Sequence, residues 1–421
     1  MKKILYFKLK ILAKLVLAKY KPKIIGITGS VGKTSAREAI FCVLQDDQRV
    51  ARNLKNYNNE IGLPLTILLA KKSPGKNIFK WLWLFFKAGK LLLARDDRYP
   101  DILVLEMAAD RPGDINYLIS IAPPDIAVIT AIGQSHMEFF GNVKNIIKEK
   151  ASILSKLKPE SWAIINHDDP NLTEVIKNCS SRLKTFGQSV GSEVQVTNIK
   201  ISQHQNTFGT SFKLCSDGSE TPVFLPNVLG WQHAQATAAA SAVGLALGIN
   251  MVSIGQRLLH YRPARGRMNL LPGVKNTWII DDTYNASPQS AKAALEVLAQ
   301  MPTAGRRIAI FGDMLELGAM SEASHQEVGE YAVQMGVDYL FVFGERSRDI
   351  ARGAQEAGMS EDKIYHFPFV LKSGTFVQEK IKAGDSILIK GSRGSKMEQM
   401  VYEIMARPWE ANELLVGPVV H

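Results

Sequence analysis

The chain has 421 residues, 46% of them hydrophobic, and a formal net charge of +11. That length exceeds one ordinary core, so two or three domains are expected, and no run reaches the roughly 18 apolar residues that a spanning helix requires. Eight lysines and no acid fall in residues 1–23, leaving about +3 for the rest, which argues against a nucleic-acid reading of the charge. Cys42, Cys179 and Cys215 are too scattered for a disulfide frame or a zinc site and suit a reducing cytoplasm.

The first element expected is a basic amphipathic helix over residues 1–22. Ile4, Leu5, Ile11, Leu12, Leu15 and Val16 fall near one face, with Lys3, Lys10, Lys14 and Lys21 largely off it. Such a helix can lie on an anionic membrane surface. A cleaved signal peptide fits less well, because lysines interrupt the apolar stretch and no small-residue cleavage site follows.

A strand, Ile24–Thr28, then runs into the loop Gly29-Ser30-Val31-Gly32 and a helix opening at Lys33-Thr34-Ser35. A loop of this kind turns successive N–H groups toward one point at a helix N-terminus, where an anion is favoured. Lysine supplies a mobile cation and threonine an Mg²⁺ ligand, so a nucleoside triphosphate is the expected guest; the bland alternative is a glycine turn that binds nothing. The common P-loop has its first glycine at the position held here by Ile27, so the pattern is better written Thr-Gly-x-x-Gly-Lys-Thr-Ser.

Residues 78–93, with Trp81, Trp83, Phe79, Phe85 and Phe86 among spaced lysines, suit either an interfacial helix or a helix packed on the sheet. Further strands are expected at Ile102–Glu106, Ile126–Thr130 and Trp162–Asn166, and antiparallel strands over roughly 183–228. An alanine-rich helix over Gln235–Leu247 ends at Gly248. The loop-like composition of residues 261–267 marks a domain boundary. A second α/β series follows, with strands at Thr277–Asp281, Arg307–Phe311, Tyr339–Phe343 and Ser386–Ile389 and a helix from Ser290.

Several residues carry candidate chemistry. Glu106 ends a buried strand beside the phosphate loop, the usual place for an acid that shares Mg²⁺ with Thr34. His136 lies in a loop after the next strand and is either structural or a ligand for metal or phosphate. Asp281–Pro288, Gly312–Gly318 and Lys390–Arg393 each lead from a strand toward a helix. Each could be a simple cap or turn, but together they suggest one face at a sheet edge.

These blocks resemble the Mur ligase family of ATP-dependent amide-bond synthetases over about residues 23–405. The matching segments are Thr28–Ser35, Asn56–Thr66, Ser135–Gly141, Asp281–Pro288, Gly312–Gly318 and Lys390–Arg393, in family order. Within the family they look most like the branch that adds D-Ala-D-Ala to a UDP-MurNAc-tripeptide. The resemblance implies an α/β fold, with a P-loop central domain on a mostly parallel sheet (23–262) and a Rossmann-like C-terminal domain (263–421). It implies ATP and Mg²⁺, with nucleotide contacts from Gly29, Ser30, Val31, Gly32, Lys33, Thr34, Ser35, Arg267, Asn285 and Asp313. Thr34, Glu106, His136 and a carbamylated Lys150 would hold metal, with Lys33, His136 and Lys150 serving catalysis. Read without the family, Lys150 is an ordinary surface lysine. Asn58, Asn59, Thr66, His325, Lys390, Ser392 and Arg393 would meet the substrates, a UDP-MurNAc-peptide-like carboxylate and D-Ala-D-Ala or another amino acid.

The resemblance departs in two places. The family's usual N-terminal UDP-binding domain is expected to be missing, with the lysine-rich helix in its place, and the stretch around Trp81–Leu93 is unusual. Two alternatives therefore stand beside the first reading. One is a ligase joining a different amino acid to another carboxylated carrier; the other is a membrane-associated P-loop NTPase acting as a switch or scaffold. The expected location is the cytoplasm, with peripheral contact at the inner membrane face.

Overall fold

A computed structural model describes residues 2–53, 57–133, 137–370 and 373–417. The chain separates into two compact units. The first comprises residues 1–199, 212–223 and 232–262; the second comprises 200–211, 224–231 and 263–421.

A nine-stranded sheet, whose strands β1 to β6 lie wholly in the first unit, contains β1 (Lys23–Thr28), β2 (Val50–Arg52), β3 (Ile102–Glu106), β4 (Ile126–Ile129), β5 (Trp162–Asn166), β6 (Arg182–Gly187), β7 (Val194–His204), β8 (Thr207–Ser216) and β9 (Ser219–Pro226). Their spatial order is β2-β3-β1-β4-β5-β6-β7-β8-β9, and β2 through β7 pair in parallel. The central strands β1, β3 and β4 are near-continuous Ile, Leu and Val, as a parallel sheet covered on both faces requires.

The expectation of antiparallel strands from residue 183 needs correction at its start. β6 pairs with β5 in parallel register, Arg182 opposite Trp162. Arg182 and Lys184 broke the apolar run and hid β6 as a continuation of the parallel series. The antiparallel part is β7-β8-β9, whose connections are the two-residue turns Gln205-Asn206 and Asp217-Gly218. A two-residue turn joins only antiparallel strands.

Helix α1 (Lys2–Tyr20) buries Leu9, Ala13 and Val16 in the core of the first unit. Leu5 and Leu12 join it partly, whereas Ile11 and Leu15 face outward, so the buried stripe is rotated from the one read in the sequence. Helix α2 (Lys33–Leu44) packs through Ala36, Ala39, Ile40, Val43 and Leu44, an i, i+3, i+4, i+7, i+8 stripe. Helix α3 (Gly62–Ile67) is almost wholly buried. Helix α4 (Ile78–Leu93) is capped by Asn77, whose side chain accepts from the Lys80 N–H. Helix α5 (Asp114–Ile121) follows β3.

In the second unit β10 (Asn269–Gly273), β11 (Thr277–Asp282), β12 (Arg307–Gly312), β13 (Tyr339–Phe343), β14 (Ile364–Phe367) and β15 (Ser386–Lys390) form a sheet in the order β10-β11-β15-β12-β13-β14. All pairs are parallel except β10 with β11. Two apolar layers cover it, one centred on Leu295, Phe311 and Val328 and the other on Ile308, Phe341 and Ile404. The crossing from β15 between β11 and β12 brings the ends of three strands side by side.

Candidate active site

The phosphate loop spans the turn from β1 into α2. Gly29 has φ 143° and Gly32 has φ 87°, both in the region that favours glycine. A Cβ on Gly29 would stand 2.1 Å from the Thr130 hydroxyl, so the loop also needs glycine there for space. Its shape is held by the residues just after β4: the Thr130 hydroxyl donates to the Val31 carbonyl (2.6 Å), and the Ser30 N–H donates to the Ala131 carbonyl (2.6 Å). The Lys33 ammonium curls over the loop to the Gly29 and Ser30 carbonyls at 2.6 and 3.1 Å. Val31 and Ser35 complete the turn and the first helical residues.

Glu106 is the hub beside this loop. Buried at the end of β3, it accepts from the Thr34 hydroxyl (3.1 Å) and the Arg37 guanidinium (3.0 Å) on one oxygen. The other oxygen accepts from the Asn58 amide at 2.9 Å. Its backbone N–H donates to the Asn53 side-chain oxygen, and Asn53 in turn donates to the Tyr57 carbonyl. Three chain segments therefore meet on one carboxylate. Sequence reasoning missed Arg37 and Asn53. The spacing of Thr34 and Arg37, three residues apart on one helix face, was the available signal for the first. Asn53 follows β2, a strand of three residues too short to recognise.

Neighbouring Asn59 and Thr66 are engaged locally. The Asn59 side chain accepts from the Gly62 N–H (2.9 Å) at the start of α3, and the buried Thr66 hydroxyl donates to the Gly62 carbonyl (3.0 Å). His136 and Asn56 lie outside the described residues.

Lys150 is not the surface lysine its bare sequence suggests. It is 3% exposed, and its ammonium donates to the Ala109 carbonyl at 3.1 Å. Burial, aided by the nearby positive charge of Lys33, pushes its pKa down to about 8. Adjacent Glu149 accepts from the N–H groups of Gly113 and Ile115 (both 2.8 Å) at the start of α5. That anchors the helix Val143–Ala151, which carries both residues, against α5.

In the second unit the loops after β11, β12 and β15 are tied together. The buried Lys390 ammonium donates to Asp282 (2.6 Å) and to the Asn285 carbonyl (2.8 Å). The Ser392 hydroxyl accepts from the Leu315 N–H (2.9 Å) and donates to the Ala286 carbonyl (3.3 Å). Asp313 accepts from the Ser347 N–H through its side chain and from the Ser392 N–H through its carbonyl, at 2.8 and 3.0 Å. The Arg267 guanidinium stacks 4.2 Å above the Tyr284 ring, and the Asn285 side chain is exposed beside it. Next to this cluster, complete burial raises the carboxyl of Asp281 to about 7 against two hydrogen bonds from Thr283.

Two expected substrate contacts take other places. His325 is fully buried, with Nε2 accepting from the Met314 N–H (3.0 Å) and Nδ1 donating to the Ser321 carbonyl (2.7 Å). Both nitrogens are thereby used to hold the 312–318 loop from below, and the ring cannot reach phosphate. Arg393 is paired with Glu398, its Nη1 donating to both carboxylate oxygens at 2.8 Å.

A glycine phosphate loop with a carboxylate hub, followed by a second parallel-sheet unit with clasped loops, defines a two-unit nucleotide-dependent enzyme. Residues 88–244 match the Mur ligase middle domain and residues 266–393 the Mur ligase, glutamate ligase domain. The chain belongs to the Mur ligase family, whose members are ATP-dependent ligases. It is 32% identical to the UDP-N-acetylmuramoyl-tripeptide–D-alanyl-D-alanine ligase of Bacillus subtilis, over 94% of this chain and 79% of the relative. The Escherichia coli ligase of the same description is 31% identical over 90% of this chain and 76% of its own length. The crystal structure of MurF ligase from Thermotoga maritima in complex with ADP superposes with a TM-score of 0.77 at 29% identity, covering 97% of this chain and 84% of that one.

Proposed function

We propose that the chain joins D-Ala-D-Ala to the terminal carboxylate of a UDP-MurNAc-tripeptide, converting ATP to ADP and phosphate. The observation that carries this is the Asn58–Glu106–Thr34 chain of hydrogen bonds. It links the phosphate loop to the 57–66 segment, which resembles the family's substrate block.

The substrate carboxylate attacks the γ-phosphate of ATP, giving an acyl phosphate and ADP. The dipeptide amine then attacks the acyl carbon, a tetrahedral intermediate forms, and phosphate leaves as the amide closes. The loop N–H groups and Lys33 hold the triphosphate and offset its repulsion toward the incoming carboxylate. Arg37 and Asn58 fix both oxygens of Glu106, so the carboxylate is oriented before any ligand arrives. Arg267, Asn285 and Asp313 are the proposed adenosine contacts of the second unit, and Lys390 and Ser392 shape the loops around them.

Thr34 and Glu106 fit Mg²⁺: both offer hard oxygen ligands, their oxygens lie 3.1 Å apart, and together they would hold one ion. Such an ion supplies charge neutralisation and alignment of the phosphates. Lys150 fits carbamylation, because a lowered pKa raises the fraction of neutral amine that reacts with CO₂, and Lys33 lies near enough to offset the resulting anion. With His136 it is the proposed support for a second ion.

The test combines ATP and UDP-MurNAc-tripeptide with D-Ala-D-Ala or with single amino acids, and reads products by mass. Product with the dipeptide, with phosphate release that requires both acid and amine, is expected. Product from a single amino acid but none from the dipeptide would overturn the substrate assignment, and phosphate release without either would overturn the ligase reading. Mass measurement of the intact chain in CO₂-containing buffer should show one added CO₂, lost in a Lys150→Met variant.

A further inference from the structure

Helix α4 carries large apolar residues around its circumference, broken only by Lys80, Lys87 and Lys90. Here one face is in the core: Leu84, Ala88 and Leu91 are buried, with Trp81, Phe85 and Leu92 packed beside them. The opposite face is open. Phe79, Leu82, Trp83, Phe86 and Leu93 all lie at least 59% exposed, in a stripe about 100° wide at 100° per residue. The Trp83 and Phe86 rings stack on each other at 5.8 Å. Helix α1, which packs against α4, repeats the arrangement: Phe7, Ile11 and Leu15 are exposed on the face opposite Leu9, Ala13 and Val16.

The charge around these faces has one sign. Residues 61–95 contain seven bases and no acid, as residues 1–23 contain eight lysines and no acid. Lys90 stands within the open stripe of α4, Lys80 at its flank, and Lys8 and Lys14 beside that of α1, all exposed. A second copy of the chain is a poor occupant, since a two-fold contact would place these lysines near their own counterparts. No helix among the described residues is long and apolar enough to cross a membrane. Sixteen residues of α4 extend about 24 Å, short of a hydrocarbon core of about 30 Å, and its inner face is already committed to the protein. Aromatic and aliphatic side chains interleaved with lysines match the interfacial layer of an anionic bilayer.

We propose that the outer face of α4, assisted by the lysines of α1, docks this protein flat on an anionic lipid surface. This is independent of the ligase reading. Phe79, Leu82, Trp83 and Phe86 would enter the headgroup boundary while Lys80, Lys90, Lys8 and Lys14 meet lipid phosphates.

The test is co-sedimentation of the full chain with phosphatidylglycerol–phosphatidylcholine vesicles at low salt, beside pure phosphatidylcholine vesicles. Binding to the anionic vesicles, weakened by high salt, is expected. A Trp83→Glu/Phe86→Glu variant should bind about tenfold more weakly or worse while melting at the same temperature, because neither side chain is in the core. A Lys80→Gln/Lys90→Gln variant should lose severalfold, and Trp409→Glu, an exposed aromatic of the second unit, should change nothing. No binding to anionic vesicles, or binding unaffected by the α4 variants, overturns the proposal. So does sedimentation showing an oligomer that these variants dissolve, which would assign the face to a second copy.

Discussion

Glu106 accepts hydrogen bonds from Thr34, Arg37 and Asn58 at once, and the Arg37 and Glu106 side chains are both almost fully buried. Removing one partner of such a pair leaves a charge without its counterpart. Glu106→Gln should therefore destabilise the first unit by about 2–4 kcal/mol, partly relieved by the Arg37–Glu38 contact, and lower ligase turnover about 100-fold or more. Thermal melting and single-turnover product formation check the two effects separately. Lys150 allows a prediction with a defined sign. Its pKa is lowered to about 8 in the fold from 10.5, so below pH 8 it is charged in both states and its buried charge opposes folding. Between about 8 and 10.5 the unfolded chain binds the extra proton, and stability rises with pH. Lys150→Met in CO₂-free buffer should then stabilise by on the order of 2 kcal/mol at pH 7, with the gain shrinking across that window. A gain that does not vary with pH would refute the burial argument. At this scale the meeting of Thr34 at the glycine loop with Glu106 at the end of β3 was legible from spacing, because both sit at the ends of neighbouring strands. The sequence was silent on the burial of Lys150, which depends on how the helix Val143–Ala151 meets α5.

The secondary elements were legible where their residues were uniform. The strands β1, β3 and β5 stand out as unbroken apolar runs ending in polar residues, and α2 as a regular buried stripe. β10 was missed because Pro272 and Gly273 break its pattern, yet it lies at the sheet edge, where proline is tolerated. β14, with His366 and Tyr365, is the opposite edge. α4 admitted two readings from its sequence, interfacial or core; the face of Leu84, Ala88 and Leu91 is in the core and the opposite face is exposed. Among connections, the clasp of loops in the second unit invites a test. Lys390 binds Asp282 and the Asn285 carbonyl from a fully buried position, so Lys390→Met leaves Asp282 without its cation. A loss of about 3 kcal/mol is expected by denaturant unfolding, with the KM for ATP raised through loss of the proposed Asn285 contact. A His325→Ala variant offers a comparison, since it frees the 312–318 loop without touching that ion pair.

The second unit is not one continuous stretch of the chain. Residues 200–211 and 224–231 belong to the second unit although they precede the end of the first in sequence. Leu229 lies in the second unit's core, Ile201 and Phe208 pack against it, and Phe208 meets Trp278 edge-on at 5.5 Å. A fragment beginning at Pro263 should therefore expose the Trp278 side of that core. It should bind a hydrophobic dye and melt well below the second unit within the full chain, and cooperative melting of the fragment at the full-chain temperature would contradict the assignment. The break at residue 262 was readable from the loop composition of 261–267, but the earlier excursions were not, because contacts of long sequence separation leave no local periodicity.

Those excursions also bear on synthesis. As the chain leaves the ribosome, Ile201, Phe208 and Leu229 emerge tens of residues before Trp278 and the strands they pack with. The first unit can close once Arg262 is out, while three apolar side chains wait for a partner not yet translated. Each nascent chain thus passes through an interval in which a half-made core is displayed, and holdase chaperones that recognise short apolar segments have a natural target in residues 200–231.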